Sequence, residues 1–307
     1  MAVPTRPARQ TNTIITDRVR FERPVPGDLY SAGMIAIDMH FHTTHSDSLV
    51  TVRDALGQAR SLGIGLSITD HNQISGVMEA EEINPGVPLI PGIEVSAADG
   101  PHILLYFYSC PDLEEFYTLH IEPYKRESPY QAIKLTTPEI LDRSSGFRCI
   151  RAAAHPYGYL LLNRGVGRCM DQAVLPDGII REFDAAEVIC GSMNRSGNLK
   201  AAQLAECHQL GMVGGSDGHL LFDLGSVLTV ARAGSIGEFL DSISERNNFL
   251  IGREKNALEK GLTGTAVMTR FLPYTLPSLA IHYEQNLPRI KRIWDRAGIA
   301  WNKRRRF

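Results

Sequence analysis

The 307-residue chain lacks a CxxC pair, a long apolar run and a strong charge of one sign. Each absence excludes something. Five cysteines, at 110, 149, 169, 190 and 207, leave one over in any complete pairing, so a disulfide framework is not expected and a reducing, cytoplasmic setting is. The clean apolar runs are only a few residues long, so no segment is expected to span a bilayer. The N-terminal stretch MAVPTRPARQ has arginine but no apolar h-region, so it does not read as a secretory signal. A net charge of −2 points to no polyionic partner for the chain as a whole.

What is present fits an ordinary globule: 43% hydrophobic and 21% charged residues argue against global disorder. The length allows one large domain or two small ones. The small net charge hides an asymmetry. Residues 289–307 hold eight Lys or Arg and a single acid, Asp295, ending in KRRR, while the rest of the chain is acidic. The count that stands out is ten histidines.

Residues 1–33 are polar, with Pro4, Pro7, Pro24 and Pro26, and read as an N-terminal arm. From Met34 apolar runs of strand length alternate with helical periods. Strands are expected at 34–41, 64–69, 87–97, 102–109, 147–155, 185–191, 212–217 and 226–233. Helices are expected at 51–62, 73–84, 112–124, 199–210 and 236–246. This alternation predicts an α/β fold with parallel strands and crossover helices, and six or seven such units suit a β/α barrel. The barrel is assigned to 34–256, and residues 257–307 to a helical appendix with a basic tail.

Metal-ligand residue types gather at the expected strand ends. His40 and His42 are two apart and so share a side of an extended strand. His45 and Asp47 follow in the loop, Asp70 and His71 end the second strand, and Glu94 lies in the third. His155 ends the strand at 147–155, and Asp217 and His219 follow the strand at 212–217. In a barrel these C-terminal ends converge on one face. His40, His42, His71, His155 and His219 with Asp47, Glu94 and Asp217 make eight donors, too many for one tetrahedral ion and suited to two or three. Histidine and carboxylate without cysteine fit Zn, Mn or Fe(II).

The ordered motifs DxHxHTxxSD (38–47), ITDHN (68–72), PGIEVS (91–96), HP (155–156) and GSDGH (215–219) resemble those of the PHP domain, the polymerase and histidinol phosphatase superfamily of metal-dependent phosphoesterases. The resemblance covers about residues 35–235 and implies a distorted β/α barrel of about seven strands. It implies a first ion on His40, His42, Glu94 and Asp217, with Glu94 bridging to a second ion held with His155. It implies a third-ion set of Asp47, His71 and His219. Family members often have a further second-ion ligand after the strand that follows the Glu. Here HILLYFYSC offers only His102, at its start, as a possible ligand or supporting residue. In a hairpin centred near Ala98, His102 would face Glu94. Asp38 is read as fixing the first strand end or a ligand histidine rather than as a donor to metal.

The expected activity is hydrolysis of a phosphomonoester, of a nucleotide or a small phosphorylated metabolite, by a hydroxide bridging two ions. His40, His42, Glu94 and Asp217 would hold and activate it. Arg164 is a candidate phosphate clamp, with Arg143 and Arg168 as rivals. Asn72 is read as structural support. One alternative is an exonuclease acting on short oligonucleotides, its basic C-terminus touching nucleic acid phosphates. Another is a non-catalytic, metal-binding regulatory protein. The stretch 264–283 with the basic residues after it also suits an anionic membrane surface, although Pro273 and Pro277 interrupt any long helix. Gly214–Gly218 matches the G-x-S-x-G elbow of serine hydrolases, but His219 is too near in sequence to be the usual partner.

Overall fold

The computed structural model describes residues 17–83, 86–158 and 165–287. The elements run β1 (Val19–Arg20), α1 (Pro26–Ser31), β2 (Ile35–Phe41), α2 (Val52–Leu62), β3 (Gly65–Ile68), α3 (Ser75–Ile83), β4 (Leu89–Ser96), β5 (His102–Phe107), α4 (Cys110–His120), α5 (Thr137–Ser144), β6 (Cys149–Ala153) and α6 (Val166–Asp171). There follow β7 (Ala185–Cys190), α7 (Arg195–Cys207), β8 (Gly211–Gly215), β9 (Val227–Ala231), α8 (Ile236–Ser244), β10 (Phe249–Gly252) and α9 (Ala257–Phe271). After a 3₁₀ turn at Leu272–Tyr274, helix resumes over 275–287.

Local chemistry sets several boundaries. In α2, the Thr51 side chain accepts from the Asp54 N–H, Val52, Ala55, Leu56 and Ala59 are buried, and Gly63 ends the helix at φ 69°. Such an N-cap contributes about 1 kcal/mol. The left-handed C-cap suits glycine, which lacks a Cβ. The weakly patterned segments were not legible in the sequence: β1, α1, α5, α6 and β10 all fall outside the expected elements.

The strands form one mixed sheet in the order β1-β10-β9-β2-β3-β4-β5-β6-β7-β8. The seven strands β2 to β8 curl into a distorted partial barrel, and β9, β10 and β1 extend the sheet beyond β2. The parallel strands expected from the alternation are interrupted at three pairings, one of them the hairpin considered near Ala98. β4 and β5 are antiparallel, because the turn at 98–101 is far too short for a crossover. β5 with β6 and β2 with β9 are antiparallel as well. From the segment read as an arm, Val19–Arg20 pairs with β10 at the sheet edge.

β8 returns alongside β2. Gly218 bridges Phe41, the His42 N–H donates to Gly218 O at 2.9 Å, and the Ser216 N–H donates to Asp38 Oδ1 at 2.9 Å. A Cβ at Gly215 would collide with the backbone of His40 and one at Gly218 with the Phe41 ring, so the glycines of this stretch serve the curl of the sheet. Ser216 is fully buried with its hydroxyl on His40 O, which is not the exposed seat of a nucleophile.

Ile37, Met39, Ile90, Leu104, Tyr106, Ile150 and Val213 form one fully buried apolar cluster, joined by Phe239, Leu240 and Ile243 of α8. A larger cluster packs the sheet against α2 to α6. The helices after residue 257 do not stand apart from the barrel. Arg270 donates to Thr44 O and Ser46 O, Ser278 pairs with Ser128 at 3.0 Å, and Gln285 donates to Ala97 O. Among the described residues no helix is long and apolar enough to cross a membrane.

Candidate metal centre

Six imidazoles and four carboxylates come together where β2 to β8 end or pass. His40, His42, Glu94 and Glu187 are fully buried, and Asp47, His71, His102, His155, Asp217 and His219 nearly so. His40 Nε2 and His42 Nε2 lie 3.1 Å apart. Each sits 3.5 Å from Glu94 Oε2, and they are 3.6 and 3.4 Å from Asp217 Oδ1. A tetrahedron whose corners stand about 2.1 Å from its centre has edges of about 3.4 Å. His40, His42 and Glu94 are therefore spaced as ligands of one small divalent ion, with Asp217 close to both imidazoles.

Glu94 faces two ways. Its Oε2 is 2.9 Å from His71 Nδ1, while its Oε1 is 3.0 Å from both His102 Nδ1 and His155 Nε2. His102 pairs in register with Ser96, not with Glu94, and reaches the carboxylate as a diagonal neighbour on the same face. On the other side, Asp47 lies 3.2 Å from His219 Nε2 and 3.6 Å from His71 Nε2, with His42 at 3.8 Å.

The electrostatics follow from burial among opposite charges. Desolvation alone would raise the Glu94 carboxyl, but His71, His102 and His40 hold it well below the usual range. Desolvation also opposes the charge on Asp217, which His40, His42 and His219 outweigh. Asp47 is depressed in the same way by His219 and His71. Burial works against a His40 cation, yet Glu187, Glu94 and Asp217 raise its pKa well above the ordinary value. Burial and the neighbouring His219 drive His42 down to about 3, leaving a neutral imidazole. Protons on His40 and a metal cation thus compete for the same carboxylates.

The donor set fits divalent metal ions. Buried carboxylates need a compensating cation, and Glu94 Oε2 is buried with no hydrogen-bond partner, although three imidazole nitrogens stand within 3.5 Å. Histidine and carboxylate donors in this mixture suit borderline divalent ions.

Two positions in the cluster have strained backbone. His155 has φ 27° and Asp217 has φ 47°, a conformation costing about 1–3 kcal/mol for a residue with a side chain. Each is held by a neighbour that the sequence reading missed. Glu187 Oε2 accepts the His155 N–H at 2.6 Å, and Oε1 lies 3.0 Å from His40 Nδ1. Lys255, nearly fully buried, donates to Asp217 O at 2.8 Å and sits 3.1 Å from Asp223. The available signal for Glu187 was a lone charge inside the apolar strand AAEVIC. Nothing marked Lys255.

Other expected residues lie elsewhere. Asp38 accepts backbone N–H groups from Ser216, Gly225 and His40, and burial raises its carboxyl to about 6. It stitches strand ends together and stands outside the donor groups. Asp70 accepts from Thr43 and Ser46, and His45 turns away to Ser75 and Glu79. Asn72 accepts the Ser96 N–H and donates to Gln131 O. Arg143 stacks on Tyr124, and Arg168 donates to Tyr157 O. Arg164 and the basic tail lie outside the described residues.

A family described as PHP-associated matches residues 195–248, from α7 to the start of β10. A 3′,5′-nucleoside bisphosphate phosphatase of Chromobacterium violaceum is 35% identical over 72 residues, 22% of this chain and 25% of that protein. The chain therefore matches only about a quarter of that relative's length. A two-domain Bacteroides vulgatus protein containing a predicted PHP-like metal-dependent phosphoesterase superposes with TM-score 0.52 at 18% identity, over 82% of this chain and 74% of that one. The chain has a PHP-type fold. A lesion-specific endonuclease from Pyrococcus furiosus shares the fold, with TM-score 0.55 at 17% identity over 71% of this chain and 57% of that one. In this fold the cluster lies at the strand ends, where β/α barrels place their sites.

Proposed function

We propose that the protein is a metal-dependent phosphoesterase that hydrolyses a phosphomonoester of a nucleotide or of another small phosphorylated metabolite. The observation that carries this reading is Glu94, one buried carboxylate shared between His40, His42 and His71 through Oε2 and His102 and His155 through Oε1. In this reading His40, His42, Glu94 and Asp217 hold one ion. Glu94, His102 and His155 hold a second, and Asp47, His71 and His219 a third. Divalent cations held there would supply the positive charge that a phosphate dianion needs and would acidify water.

The chain's own residues do the rest. His42, kept neutral by burial and by His219, offers a nitrogen lone pair at neutral pH. Glu187 on His40 Nδ1 leaves Nε2 to face the cluster. Lys255 fixes the loop that carries Asp217 and His219. The likeness to the nucleoside bisphosphate phosphatase supports a phosphomonoester substrate, whereas the likeness to the endonuclease is one of fold.

The test is metal analysis combined with phosphate release. Protein reconstituted with Mn²⁺ or Zn²⁺ is expected to bind more than one equivalent and to release phosphate from p-nitrophenyl phosphate and from nucleoside 3′,5′-bisphosphates. Full metal occupancy with no phosphate released from any monoester would overturn the reading.

A further inference from the structure

The cluster accounts for the phosphate and leaves the alcohol open. A cavity of about 570 Å³ begins at Asp47, His71 and His219 and runs under the C-terminal helices. Its wall away from the cluster is chiefly apolar, with Met268 and Phe271 from α9, Leu272 from the turn and Leu279 from the helix that follows. Met268, Leu272 and Leu279 are 65, 68 and 59% exposed. An apolar wall left so open gains most when something apolar covers it. Its continuity with the cluster identifies the cover as the remainder of the substrate. Flexible Met and Leu side chains adapt to a flexible chain better than to a rigid heterocycle with polar edges. Lys260, whose Nζ donates to Met193 O, also lines the cavity and adds positive charge to it.

We propose that the alcohol carried by the phosphate is a flexible hydrocarbon chain, with the phosphate on the cluster and the chain along α9 and the helix over 275–287. This rests on the phosphomonoesterase reading above. The reaction consumes one water: its oxygen bonds to phosphorus, the ester P–O bond breaks, and the products are the alcohol and inorganic phosphate.

The experiment uses the full chain loaded with Mn²⁺ and compares butyl, hexyl and octyl phosphate, below micelle formation, with adenosine monophosphate and adenosine 3′,5′-bisphosphate. Expected is a rise in kcat/KM of roughly three- to fourfold per added methylene. Leu279→Asn and Met268→Asn should each flatten that rise. A flat series in the wild-type protein overturns the proposal, and faster nucleotide hydrolysis would then assign the cavity to a nucleoside. Loss of the phosphatase reading itself is distinguishable, because then no ester of either kind releases phosphate although metal is bound.

Discussion

The floor, which is the cluster that reaches the cavity through Asp47, His71 and His219, and the roof of that cavity are built from opposite materials. The floor is a set of buried imidazoles and carboxylates at strand ends, each held by at least two neighbours, as His40 is by His42 and Glu187. The roof is two helical segments that present Met268, Phe271, Leu272 and Leu279 to the cavity beside Thr263, Thr275, Ser278 and His282, with Met268, Leu272 and Leu279 more than half exposed. A rigid, charged floor fixes a reaction, because charge developing on phosphorus must meet fixed opposite charge. An adaptable apolar roof fixes which molecule is presented, because its contribution scales with the apolar area covered. Under the proposed function, chemistry and selectivity fall to different parts of the chain, before and after about residue 256.

This division can be broken most directly at Glu94. Glu94→Gln should lower kcat/KM by about a thousandfold or more, equally for short and long alcohols, because it removes the charge shared by the cluster. Phosphate release and bound metal per chain are the measurements. A loss that varied with the alcohol would mean that the floor also selects. Next in size is Glu187→Gln, which should weaken metal affinity by about 10–100-fold without changing the order of preferred substrates. A metal-competition titration reads this without any turnover.

The smallest effect is on stability against pH in metal-free protein. Glu94, Asp217 and Asp47 have depressed folded values, so their contribution is present above about pH 4.5 and lost as pH falls below it. His40 and His219 are raised. Their contribution is full below about pH 6.5 and lost as pH rises through the folded values. His42, lowered to about 3, costs stability below about pH 6.5, so metal-free protein should melt highest near the upper of those limits and lose a few degrees towards pH 8, whereas bound metal should restore the melting point there. A metal-free melting curve still rising at pH 8 would show that the floor is not charged as described.

Much of the floor was legible in the sequence, and the reason is local. Side chains alternate along a strand and polar residues follow its end, so HxH, TDH and GSDGH marked their positions without any knowledge of neighbours. Asp38 was legible as well. It lies two residues before His40 and on the same face, and its carboxylate accepts from the backbone of Ser216 and Gly225, the strand-end role read for it from the sequence. His102 was legible as a neighbour of Glu94, but its diagonal placement depended on a hairpin register set two residues from the one expected. The roof could be read as helix, but not as roof. Its position rests on contacts such as Arg270 with Thr44, 226 residues apart in sequence.

The sequence by itself determined the α/β alternation and the inventory of strand-end histidines and carboxylates, because periodicity and residue type are properties of short segments. Tertiary structure alone decided that Glu94 faces five imidazoles, that Glu187 supports His40 and the strained His155, and that an apolar cavity adjoins the cluster. Those depend on the curl that returns β8 to β2 and on the helices that fold back over the strand ends. Both are settled by burial of surface between distant segments, which short-range pattern does not encode.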